Sequence, residues 1–133
     1  MIARGCNGPN PHRCDAALAP ATYAKAADLA RESLRVNPEN PLVRAQLAYF
    51  LARQGLSAEA AAELAHVDVE DATAVYVHYY TALAYLEVGN ADAAITELTR
   101  AVSAGYPRYL VRAAPEFEAI KADSRLVELL REP

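Results

Sequence analysis

The chain has 133 residues, 53% of them hydrophobic and 23% charged, with a net charge of −4 and a mean hydropathy of −0.03. That balance excludes a disordered polyelectrolyte, and the acidic sign argues against a general nucleic-acid binder, which needs a clustered basic face. No uncharged apolar run reaches the roughly 18 residues of a membrane span, so none is expected.

The first 19 residues hold Gly5, Gly8, Pro9 and Pro11. Such a density of breakers predicts an irregular segment over 1–19, with at most a turn near Cys14 to Leu18. Its start has no apolar run and no cleavage site, so it is no secretory signal, and cytoplasmic residence is the expectation. Two cysteines are too few for a disulfide framework; a Cys6–Cys14 bridge would need an oxidising compartment. Cys6, His12 and Cys14 offer three ligand types, but their spacing fits no common zinc finger and Pro9 and Pro11 intervene. No metal or other cofactor is therefore expected.

Alanine dominates the apolar set and favours an all-α fold. The first helix is predicted over 22–36, after Pro20 and capped by Thr22, with Ala26, Ala27, Ala30, Leu34 and Val36 as its stripe. Asn37-Pro38 ends it, and Asn40-Pro41 opens the next helix, over 41–54, with Asn as cap and Pro at the first helical position. There Leu42, Ala45, Leu47, Ala48, Phe50 and Leu51 are apolar, and Gly55 stops the helix. Ser57 is expected to cap a helix to about residue 66, with Ala60, Ala61 and Leu64 inward.

Residues 67–71 read as a loop, with Asp71 as cap of a helix over 72–88. Gly89 and the cap Asn90 then lead to a helix over 91–104, buried through Ala94, Ile95, Leu98, Ala101 and Val102. Gly105 suits the left-handed position after it, and Pro107 prevents continuation. Beyond lie shorter units: a helical turn over 109–113, a short helix from Ala114-Pro115 with Phe117 and Ile120 inward, and a last helix capped by Asp123 or Ser124 with Leu126, Leu129 and Leu130 inward.

The turn glycines Gly55 and Gly89 are 34 residues apart, and each joins two amphipathic helices. A fixed period of this length marks a stacked helical repeat. The residues resemble the tetratricopeptide repeat (TPR). Leu47, Ala48, Leu51, Gly55, Ala60 and Leu64 match its pattern in 41–74, although Val67 stands where a small residue is usual and the closing Pro is absent. Ala82, Tyr85, Gly89, Ala94, Leu98, Ala101 and Pro107 match it in 75–107, with His78 and Thr81 in the usual Trp and Leu places. Residues 20–40, through Ala26, Ala30, Leu34 and Pro38, fit the second half of a preceding repeat whose first half is degenerate. Small residues must sit where paired helices cross, and Ala48 with Ala60 and Ala82 with Ala94 hold those places. The segment 108–133, with Pro115, Phe117, Ile120, Asp123, Arg125, Leu129 and Leu130, resembles the capping helices of TPR arrays at the C-termini of bacterial multidomain signalling proteins.

The resemblance implies a right-handed stack of antiparallel helix pairs over about 20–133, binding a protein or peptide on its concave face. That face would carry Leu42, Ala45, Tyr49 and Arg53 from one repeat and Tyr76, Tyr79, Leu83 and Leu86 from the next, with Glu87 beside Arg53 at the margin. The bland alternative is that neighbouring segments of the chain cover these residues. Ala45, Tyr49, Tyr79 and Leu83 hold the places where the family's carboxylate clamp needs Lys and Asn, so a chaperone-tail clamp is not expected. His78 reads as a core histidine with its ring nitrogens satisfied, and Glu116, Glu118, Glu128 and the Glu70-Asp71 pair as solvated faces and caps.

No nucleophile–base pair, phosphate loop or metal-ligand spacing is visible, so no catalytic residue is assigned and a non-enzymatic adaptor or assembly factor is the leading reading. Its partner would be protein, with neither nucleic acid nor membrane. Two other readings stand beside it: a regulatory C-terminal tail of a signalling kinase or cyclase, and a small metal protein built on the N-terminal cysteines. An uncovered face on the helix over 22–36 could also be buried in a homodimer.

Overall fold

The Asn-Pro step sets where the second helix starts. In the computed structural model, which describes residues 11–67 and 74–131 and side chains from residue 21 onward, Asn40 Oδ1 accepts hydrogen bonds from the Leu42 and Val43 amides at 3.1 and 3.2 Å. Pro41 takes the first helical position, where no N–H is needed. Seven α-helices and one 3-10 helix make up the described residues: α1 Pro11–Val36, α2 Pro41–Arg53, α3 Ser57–Leu64, α4 Val75–Glu87, α5 Ala91–Ser103, α6 Arg108–Ala113, the 3-10 helix Pro115–Ile120, and α7 Ser124–Arg131. The fold is all-α among these residues, and no described helix is long and apolar enough to cross a membrane.

Three helix ends share one hydrogen-bonding pattern. The amides of Leu56, Asn90 and Tyr106 reach back to the carbonyls of Leu51, Tyr85 and Ala101 at 3.0, 2.9 and 2.9 Å. Each bond spans a glycine, and Gly55 and Gly89 have φ of 82° and 89°. That left-handed geometry crowds the Cβ of any other residue and closes the helix by satisfying its last carbonyls.

The first helix departs most from expectation. It begins at Pro11 rather than near Thr22 and runs through Pro20. Pro11 suits a helix start, and the alanines around Pro20 are the best helix formers. Their propensity outweighs the one backbone hydrogen bond that Pro20 cannot donate. Val36, expected inward, is 86% exposed at its end, and Leu29 is exposed on its outer side. The residues before Pro11 lie outside the described part of the chain.

Smaller corrections concern helix starts. Ser57 is the first residue of α3, not its cap; Leu56 holds the cap position and makes no side-chain hydrogen bond there. The Schellman-type bond of Leu56 to Leu51 already fixes the chain at that point. The expected cap Asp71 lies outside the described residues, and α4 is described from Val75. Asn90 does cap α5, accepting from the Ala93 amide at 3.1 Å. Asp123 rather than Ser124 caps α7, accepting from the Arg125 amide at 2.9 Å.

Helix α2 lies between α1 and α4 and also packs on α3; α4 packs on α2 and α5 and more lightly on α3. Two apolar clusters result. The smaller joins Ala27 and Ala30 of α1 to Leu47, Leu51 and Ala52 of α2 and Ala60 of α3. The larger runs from Ala48 and Tyr49 through Ala82, Leu83, Ile95 and Leu98 to Val111, Phe117, Ile120 and Leu126. The four alanines at the expected crossings, Ala48, Ala60, Ala82 and Ala94, have no exposed surface. Bulk there would force the helices apart at about 1–3 kcal/mol.

The C-terminal elements are locked onto this core by polar ties as well as burial. Helix α7 packs on α5 and α6. Arg108 Nε donates to the Leu129 carbonyl at 2.9 Å, and the Arg112 guanidinium donates to that of Leu130. These bonds satisfy carbonyls that the last turn of α7 would otherwise leave unpaired.

Candidate functional site

Helical spacing sets the site. Ala45, Tyr49 and Arg53 recur every four residues along α2, and Tyr76, Tyr79 or Tyr80, and Leu83 recur along α4. Because α2 and α4 pack side by side, their aromatic positions meet. The Tyr49 and Tyr80 rings lie 6.1 Å apart between centroids. From that contact a continuous series of rings spreads in both directions.

Toward the N-terminus, Tyr49 meets Tyr23 of α1 edge-on at 5.7 Å, and Phe50 packs on both. The Tyr23 and Tyr49 hydroxyls are 3.5 Å apart. The Arg53 guanidinium lies 5.2 Å over the Tyr23 ring and donates to Glu87 of α4 at 3.0 Å. Toward the C-terminus, Tyr80 meets Tyr79, and Tyr79 stacks on Tyr106 at 4.4 Å with planes 19° apart. Tyr79 also meets Phe117 edge-on, and Tyr106 meets Tyr76. Each offset or edge-on pair of this kind contributes about 0.5–1.5 kcal/mol beyond its buried area.

Burial, and next the hydrogen bond to Tyr23, hold the Tyr49 phenol far above the usual tyrosine range. Burial and the hydrogen bond to Tyr106 do the same for Tyr79. The Glu116 carboxylate adds to both shifts. Burial alone would lower the Arg53 pKa, but the bond to Glu87 and its charge outweigh it, and the pKa is raised. At neutral pH the cluster thus holds neutral phenols and an ion pair. It offers hydrogen bonds and aromatic faces, not a phenolate nucleophile.

The residues assigned to the groove divide. Tyr76 is 58% exposed, and Leu42, Arg53, Tyr79 and Leu86 are half-buried. Ala45, Tyr49 and Leu83 are buried and belong to the core rather than to a contact surface. The cause is tertiary: Tyr23 covers Tyr49, and Tyr106 and Phe117 close over Tyr79. The sequence reading missed Tyr23, Phe50, Tyr80, Tyr106 and Phe117 as members of this cluster. Tyr106 alone carried a local signal, since it follows Gly105 at a helix end where an apolar side chain folds back onto the helix.

His78, in the core as expected, is 2% exposed, and its Nδ1 lies 2.8 Å from Glu97 Oε1. The other carboxylate oxygen of Glu97 accepts from Arg100 at 2.8 Å. An ionised carboxylate only accepts, so His78 Nδ1 carries the donated proton. The pair ties α4 to α5 from inside. Cys6 and the side chains of His12 and Cys14, considered for metal, lie outside the described residues, as does the Glu70-Asp71 pair.

Comparison with protein-family models, with curated proteins and with solved structures finds no match.

Proposed function

We propose that this chain is a TPR-type interaction module that binds a protein or peptide segment along the face shared by α1, α2 and α4. The observation that carries the reading is the continuous series of eight aromatic rings from Tyr23 to Phe117, still open to solvent at Tyr76. Tyrosine offers large contact area at low entropy cost and a polar tip, which suits it to a recognition surface. Support for the repeat architecture comes from the two glycine turns 34 residues apart with the same hydrogen bonds, and from the packing of α2 on α4 and of α3 on α4.

The test is site-specific photocrosslinking in cells. A benzophenone side chain placed at Tyr76 should give a discrete protein adduct, while the same group at Val127, exposed on α7, should not. Identical adduct patterns at the two positions would overturn the assignment of the face.

A further inference from the structure

Among the described acidic side chains only Glu39 and Glu116 stand in no ion pair. Glu39 is in the turn between α1 and α2. Glu116 is exposed and held at the aromatic cluster, because its neighbour Phe117 is fully buried with its ring 6.1 Å from Tyr79. Its charge reaches the Tyr49 and Tyr79 phenols.

The other charges at this face cancel: Arg53 is paired with Glu87 at 3.0 Å. That leaves one uncompensated negative charge beside half-buried tyrosine rings, on a chain whose net charge is −4. The cluster already shows what such rings accept, since the Arg53 guanidinium lies over Tyr23. A cation placed on a tyrosine face is attracted by the ring quadrupole, and a nearby carboxylate adds to that attraction.

We infer that the segment taken by this face is basic, presenting an arginine or lysine side chain that lies on the tyrosine rings and pairs with Glu116. An acidic segment would meet Glu116 without a compensating cation, because Arg53 is already occupied. The inference rests on the groove reading above and specifies its partner's chemistry.

The test is selection of a displayed library of random heptapeptides on the wild-type chain, on Glu116→Gln and on Glu116→Lys. Glu116 is exposed, and unchanged helical circular dichroism verifies that the variants fold. On the wild type, arginine and lysine should be enriched over aspartate and glutamate by about two- to fivefold, the range an exposed ion pair supplies. The glutamine variant should lose that bias and the lysine variant should reverse it. Peptides selected without charge bias, or a bias that Glu116→Lys leaves unchanged, would overturn the inference and leave the groove reading standing. Failure to select any peptide on the wild type would overturn both.

Discussion

Tyr79 of α4 and Tyr106, beyond the end of α5, stack with centroids 4.4 Å apart, the closest aromatic contact among the described residues. The contact fastens the exit of α5 to the middle of α4 and carries the series of rings to the C-terminal segment. Removing the Tyr106 ring by Tyr106→Ala should destabilise the chain by about 2–4 kcal/mol, combining lost burial with lost stacking. Tyr106→Phe keeps the ring and loses only the hydroxyl bond to Tyr79, at about 1 kcal/mol. Urea unfolding followed by circular dichroism separates the two, and equal losses would show that the stack itself contributes little.

The His78–Glu97 pair predicts a non-additive mutant cycle. Glu97→Ala strands the buried His78 donor and should cost about 3–5 kcal/mol, as for a buried ion pair broken on one side. The double variant His78→Leu/Glu97→Leu replaces both polar groups and should be more stable than Glu97→Ala alone. Denaturant midpoints of the three variants measure this. A double variant that loses as much as the sum of the singles would refute the coupling.

Gly55 and Gly89 have φ of 82° and 89°, and a Cβ at either would meet nothing within 4 Å. The cost of alanine there is therefore backbone strain alone, about 1–2 kcal/mol. Gly55→Ala and Gly89→Ala should shift the thermal midpoint by similar amounts. Markedly different shifts would mean that the two turns are not equivalent repeat positions.

Asp123 predicts a dependence on acid. Its hydrogen bonds from the Arg125 side chain and amide hold its carboxyl at about 2, below the ordinary 3.8. The folded chain therefore binds the proton less readily than the unfolded chain. The stabilisation is complete above the unfolded value and fades as pH falls from about 5 toward 2. Thermal melts across that range should show the wild type losing part of its advantage over Asp123→Asn as pH falls. Parallel curves for the two proteins would contradict the assignment.

Features that depend on nearby residues were legible in the sequence. Asn40 and Asn90 cap their helices because a short carbonyl side chain reaches amides two or three residues on. The stripe Ala94, Ile95, Leu98, Ala101 and Val102 is buried because its spacing matches one helix face. Helix α1 escaped this reasoning because the run of alanines outweighed breakers counted one by one. Within the groove, exposure could not be read from periodicity. Tyr49 and Tyr79 occupy related places on α2 and α4, yet Tyr49 is buried and Tyr79 half-buried, because different distant segments cover them.

By itself the sequence determined that the described chain is helical, where most helices begin and end, and which alanines sit at the crossings. Propensity, capping and periodicity act over a few residues, and that is the range they report. Only the tertiary structure decided which tyrosines remain accessible, that Arg53 is neutralised by Glu87, and that Glu116 lies at the aromatic face without an ion pair. Those relations join residues up to tens of positions apart. They are set by how α1 and the C-terminal segment close over α2 and α4, a packing outcome that no local pattern encodes.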